Sequence, residues 1–237
     1  MVQLTPNKPY LTMRLKFKKV GSLQYISHLD LVRTMHKIIV RAGLPLWYTE
    51  GFNPKPKMVF AAPLSIGTES VCEFMDIRLV DDISPSEVKE RLNRNMTDEM
   101  QVLDAYYTDE KLTALKWLDY SIEIKTEGVT YELAAECEKL LRSGRVVVKK
   151  KGKPHDEPRT ADIAPLIKEA KAHISDGLLC IGCTLSADAS SFLNPEYVIS
   201  ALREGCGILS APDITKEYYS IMRLVARRAD MSDFGEH

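Results

Sequence analysis

The amino-acid sequence predicts an α+β protein of two tandem ferredoxin-like (split βαβ) domains. Three observations support this. Several segments alternate apolar and polar residues, and amphipathic segments with recognisable helix starts lie between them. The resulting β-α-β-β-α-β order occurs twice in 237 residues once an extra helix in the second half is set aside. That length suits two small domains with separate cores, and 45% hydrophobic with 27% charged residues is the balance of a folded chain.

The first domain is expected over 11–112. Met13 to Lys18 alternates, with Met13, Leu15 and Phe17 on one face and Arg14, Lys16 and Lys18 on the other. Ser27-His28-Leu29-Asp30 reads as a helix start, with Ser27 as N-cap and Asp30 as its partner near the positive helix end. Leu29, Val32, Met35, Ile39 and Ala42 follow at helical spacing and are expected to face the core, and Gly43 and Pro45 stop the helix. Gly51, Asn53, Pro54 and Pro56 make the next segment a constrained loop. Strands are expected at Met58–Ala62, Glu73–Val80 and Gln101–Tyr107, with a helix opened by Ser84-Pro85 between the last two.

The second domain is expected over 117–226. Its strands are placed at Tyr120–Thr126, Arg145–Lys151, Leu178–Leu185 and Tyr218–Leu224, with helices at Tyr131–Leu141 and Asn194–Glu204. An extra helix is expected over Asp162–Ile174, and residues 227–237 are expected to be a frayed tail.

The formal net charge of −1 conceals a segregation of charge. Residues 1–60 carry ten basic and two acidic side chains, a net of +8, whereas residues 61–120 carry six and thirteen, a net of −7. A positive region of this kind suits an anionic partner. No run approaches the ~20 apolar residues of a membrane helix, and the opening segment has no signal-peptide core, so a cytoplasmic location without a membrane partner is expected. Five scattered cysteines argue against a disulfide framework. Cys180 and Cys183 stand three apart in an apolar run that reads as a buried strand, so their thiols are expected to diverge, and no metal site is assigned.

The segments Ser27-His28-Leu29-Asp30, Glu50-Gly51-Phe52-Asn53-Pro54-Lys55-Pro56-Lys57 and Pro63-Leu64-Ser65-Ile66-Gly67, together with Phe17-Lys18-Lys19, resemble a bacterial family usually called radical SAM-linked proteins, whose defining segment is a domain of unknown function. Thr49 and Lys55 stand where serine and histidine are expected in that pattern. The resemblance implies a cytoplasmic protein fused to, or encoded beside, a radical SAM protein with a cobalamin-type domain. Some relatives also sit near a gene for an RNase E/G-type endoribonuclease. This chain has no Cys-x3-Cys-x2-Cys triplet for an iron–sulfur cluster, so no cofactor is assigned to it and any radical chemistry belongs to the partner.

On these grounds the chain is expected to be an accessory protein that binds RNA, of the tRNA or rRNA type, beside a radical SAM enzyme. Arg14, Lys16 and Lys18 are expected on an open sheet face, and Arg33, Lys37 and Arg41 form a helical stripe at i, i+4 and i+8. Phe52 and Asn53, flanked by Lys55 and Lys57, form a candidate base-reading loop. The competing expectation is that Phe52 packs inward. Lys149, Lys150, Lys151 and Lys153 form a second basic cluster. Two alternatives stay open: a metal-independent ribonuclease using His28, Tyr25 and Lys57, and a protein–protein adaptor. In both the binding and adaptor readings His28 serves only at its helix start.

Overall fold

In the computed structural model the described residues are 10–150, 159–213 and 215–237, and they form an α+β protein with ten strands and four helices. The chain divides into two compact units. Unit 1 comprises residues up to Leu115 together with Ser232–His237, and unit 2 comprises Lys116–Met231.

Unit 1 contains β1 (Leu11–Lys19), α1 (His28–Arg41), β2 (Met58–Phe60), β3 (Thr68–Leu79), α2 (Pro85–Asn93) and β4 (Met100–Tyr107). Its strands lie in the order β4-β1-β3-β2 and every pairing is antiparallel. The apolar face of β1 is buried as its alternation demands: Met13, Leu15 and Phe17 join Met35 and Ile39 of α1, Ile77 of β3 and Val88 of α2 in one core. Ser27 caps α1 by accepting the Asp30 N–H at 3.1 Å, and its hydroxyl donates to the Asp30 carboxylate at 2.7 Å. The helix turns Leu31, Met35, Ile38 and Ile39 inward and leaves Leu29 exposed. The expected core stripe was therefore displaced at its first member, because Leu29 lies in the first turn, on the side away from Leu31 and Met35.

Unit 2 contains β5 (Trp117–Lys125), α3 (Tyr131–Leu141), β6 (Val147–Lys150), β7 (Arg159–Asp162), β8 (Ile167–Ser175), β9 (Leu178–Ser186), α4 (Glu196–Cys206) and β10 (Tyr218–Arg227). The order β10-β5-β9-β8 is again antiparallel throughout, and β6 and β7 form a separate hairpin. Without that hairpin, both units follow the β-α-β-β-α-β succession of the split βαβ pattern.

Two expectations need correction here. The segment expected as an extra helix is mostly strand β8. Ala, Glu and Lys favour helix, but Glu-Ala-Lys-Ala-His-Ile-Ser alternates with period two and pairs with β9 along its length. On the other side, the Glu138 carboxylate of α3 accepts the Ala172 N–H at 3.0 Å, which covers part of an edge.

The second correction concerns the tail expected to fray. Ser232–His237 packs on unit 1, where Phe234 is 0% exposed and meets Phe74 edge-on at 5.0 Å. The side of the unit 1 sheet away from the helices is therefore covered, and Arg14 does not line an open face.

Lys116, at the start of unit 2, donates to Asp188 beyond β9 at 2.5 Å. This bond, with N–H and hydroxyl donation from Ser190, lowers the Asp188 carboxyl to about 2. A carboxylate depressed in the folded state stabilises the fold above its unfolded value, and that contribution is lost as pH falls toward 2. An NMR titration should place the Asp188 midpoint near 2, and Lys116→Met should move it toward the ordinary carboxylate value of about 4.

Candidate nucleic-acid interface

The segment with two prolines folds as a small hairpin at the edge of unit 1. Leu46 bridges to Leu79, and the Trp47 N–H donates to the Arg78 carbonyl, which fixes the incoming arm against β3. The Arg78 guanidinium lies 4.0 Å from the Tyr10 ring centroid and 5.3 Å from that of Trp47, so Trp47 is committed to this stack. Tyr48 then bridges to Pro56, and the Thr49 N–H donates to the Lys55 carbonyl at 3.0 Å. The Thr49 hydroxyl accepts the Lys55 N–H at 3.2 Å, a role that serine could also fill. Gly51, at φ +124°, takes the tip through backbone space that a side chain would resist.

This construction decides between the two expectations for Phe52. The ring is fully exposed, at 112% relative accessibility, so it packs against nothing. Asn53 and Lys55 are exposed beside it, while Lys57 is half-buried and donates its backbone N–H to the Trp47 carbonyl. Pro56 is buried and Pro54 exposed, and both remove backbone freedom that binding would otherwise have to restrict. The tip therefore presents an aromatic ring, an amide and an ammonium group to solvent on a braced stalk.

The hairpin runs directly into β2, whose Phe60 meets the His28 ring edge-on at 5.4 Å. Through Phe60 the start of α1 neighbours the base of the hairpin. Arg33, Lys37 and Arg41 are exposed along α1, with Arg33 paired to Asp30 at 3.3 Å. Tyr25 and His28 are exposed as well, but among the described residues no hydrogen bond joins His28 to Tyr25, Lys57 or an orienting carboxylate. A base, its orienting group and a second proton donor are thus not assembled here.

The β1 candidates behave differently. Arg14 is 0% exposed, forms a two-bond pair with Asp76 at 2.8 and 3.1 Å, and reaches the Glu110 carboxylate at 3.1 Å. Its charge is answered inside the unit, which removes it from the phosphate-binding set. Lys16 and Lys18 are half-buried, with the Lys16 ammonium 6.0 Å from the Phe74 ring centroid.

In unit 2, Lys149 is exposed and stands 3.9 Å from Glu204. Lys150 belongs to β6, and Lys151 and Lys153 lie outside the described residues. Cys183 is buried, which pushes its thiol up to about 12, and Cys180 lies three positions away on the same strand. Among the described residues no group of three or more His, Cys, Asp and Glu is placed to hold a metal ion.

Residues 12–195 match the family described as an uncharacterized protein conserved in bacteria (DUF2344). The chain belongs to that family. The match spans the whole hairpin and all of α1 in this DUF2344 protein, and extends through β9 of unit 2. No curated protein matches the chain. Among solved structures, weak similarity is found to a chain of a Cbf5-Nop10-Gar1 complex, at 10% identity and TM-score 0.48. It covers 90% of this chain and 48% of that one, so the protein spans about half the length of that relative. An unknown protein from Galdieria sulphuraria (8% identity, 91% and 99% coverage, TM-score 0.25) and an anthrone oxidase-like protein (10%, 98% and 97%, TM-score 0.22) are similar at a lower level still.

The exposure of Phe52 makes a sharp stability contrast. Phe52→Ala should leave the unfolding free energy from urea titration almost unchanged, within about 0.5 kcal/mol. Phe17→Ala, which empties a core position, should cost about 3–5 kcal/mol in the same assay.

Proposed function

We propose that this protein binds single-stranded RNA, with the hairpin tip at Phe52 as its principal contact. The observation that carries the proposal is a fully solvent-exposed phenyl ring on a hairpin braced by prolines and backbone hydrogen bonds. Leaving such a ring in water has no folding benefit, whereas stacking on a base buries its faces. Asn53 supplies an amide that can read a base edge, and Lys55 and Lys57 supply charge for the adjoining phosphates. Arg33, Lys37 and Arg41 extend the positive surface along α1, beyond the Phe60–His28 contact.

The function proposed is binding rather than cleavage, and His28 acts at the start of α1. An accessory role beside a radical SAM protein is supported by the Ser27–Asp30 and Glu50–Lys57 motifs. It predicts that the chain and such a partner are recovered together from cells.

The double change Phe52→Ala, Asn53→Ala should weaken binding of a labelled single-stranded RNA by ~1–3 kcal/mol, the worth of one stacked base, with the melting temperature unmoved. If Lys55, Lys57, Arg33, Lys37 and Arg41 each meet a phosphate, log affinity should fall against log salt with a slope near about −3.5. A folded protein with no affinity for RNA at low salt would contradict the proposal and leave the adaptor reading.

A further inference from the structure

Gly182 stands at the middle of β9, an internal strand of unit 2, where a glycine weakens the strand and packs no side chain. Among the described residues, nothing in the fold requires it there. Seven other glycines take a positive φ, and Gly182 does not. Gly205 and Gly235 pass close to Leu140 and Lys16, whereas a Cβ added to Gly182 would meet no non-adjacent residue within 4 Å. A glycine in a central strand, free of both strain and crowding, marks a place where something from outside comes close to the backbone.

Strand register shows what borders that place. Ile122 of β5 and Ile181 of β9 pair in the core, and Tyr219, opposite Ile124, donates its hydroxyl to Glu196 of α4. Ser121 and Gly182 therefore lie on the other face, away from the helices. Gly182 is exposed there between Ser121 and Lys171 of β8, with Met222 of β10 beyond Ser121. The next row on this face is Ser220, Glu123, Cys180 and His173, and the row after it begins with Tyr218 and Lys125. Glu123, Lys125, Lys171 and Tyr218 are exposed, and the Lys125 ammonium lies 5.6 Å from the Tyr218 ring centroid. Among the described residues neither the Glu123 carboxylate nor the Lys171 ammonium has a hydrogen bond or ion pair.

The face thus offers a bare backbone floor, a cation beside it, a ring with a second cation two rows away, and an uncommitted carboxylate between. Single-strand readers built on a small sheet combine rings for stacking with basic groups for the phosphates. A flat base can lie directly on Gly182, where a side chain would lift it away. Glu123 stands diagonally across from Gly182, within reach of a base lying there. An ionised carboxylate only accepts hydrogen bonds, so it favours the amino group of cytosine over the O4 acceptor of uracil. Lys125 and Lys171 can answer the adjoining phosphates.

We propose that this face of unit 2 is a second RNA contact, in which a base with an exocyclic amino group lies on Gly182 and donates to Glu123. The inference rests on the RNA-binding reading and deepens it, through residues that the hairpin does not include.

The test uses the full chain with fluorescein-labelled hexacytidylate and hexauridylate, followed by anisotropy. Wild type should favour hexacytidylate by about fivefold, and Glu123→Gln, whose amide both donates and accepts, should abolish the preference. Gly182→Val should weaken hexacytidylate binding by about tenfold. Its urea midpoint should stay level or rise, because the added side chain has free space. A lowered midpoint would mean that the glycine serves the fold, and it overturns the inference, as does unchanged affinity. Should Gly182→Val fail to fold, the exposed change Glu123→Gln decides alone: a preference absent from wild type, or unaltered in the variant, overturns the inference. The hairpin reading survives these results if Phe52→Ala, Asn53→Ala weakens binding. Loss through Gly182→Val with no effect of that double change supports the inference and overturns the hairpin reading. Absence of wild-type binding to either RNA overturns both.

Discussion

Taking a guanidinium out of water costs several kcal/mol unless carboxylates answer it in good geometry, and in unit 1 Arg14 is met by two. Asp76 sits directly across on β3, and Glu110 reaches in from the segment after β4. The pairing ties β3 and the segment after β4 to one side chain on the central strand. It also allows Phe234 to close over the charge, which an unpaired arginine would resist. The side of the sheet that alternation marks as polar thus becomes an interior surface. Of the unit 1 basic residues proposed for binding, the exposed ones are Arg33, Lys37 and Arg41 on α1 and Lys55 on the hairpin.

The hairpin shows the complementary case, in which order is bought without burial. Its arms are held by backbone bonds to β3 and by the Tyr48–Pro56 bridge, while its tip makes no packing contact through Phe52. Rigidity therefore comes from the backbone, from two prolines and from Thr49. That division leaves side-chain chemistry at the tip free for a ligand, at a reduced entropic cost of ordering.

Much of this was legible from local signals. The alternation of β1, the Ser27 cap with Asp30, the Ser84-Pro85 start and the Tyr131–Leu141 helix each state their conformation within a few residues. What could not be read locally depended on partners distant in sequence. Nothing around Arg14 announces Asp76 and Glu110, 62 and 96 positions away. Nothing in Asp233–His237 signals a docking surface formed by β1, β3 and β4, so a short polar segment looked unanchored. The β8 error is of another kind. Its period-two pattern was present, but residues with helical propensity outweighed it until pairing with β9 decided the matter. For the candidate site, the hairpin's residue types left Phe52 presented or packed inward, and only the closure by Thr49 and Lys55 showed which way it faces.

The central claim is that the hairpin tip touches RNA. Ultraviolet crosslinking of a labelled single-stranded RNA to the full chain, followed by mass-spectrometric mapping of the adducts, tests it most directly. Adducts should concentrate within residues 49–57, with Phe52 the foremost site. Efficient crosslinking that maps wholly elsewhere, with Phe52 unmodified, would contradict the account.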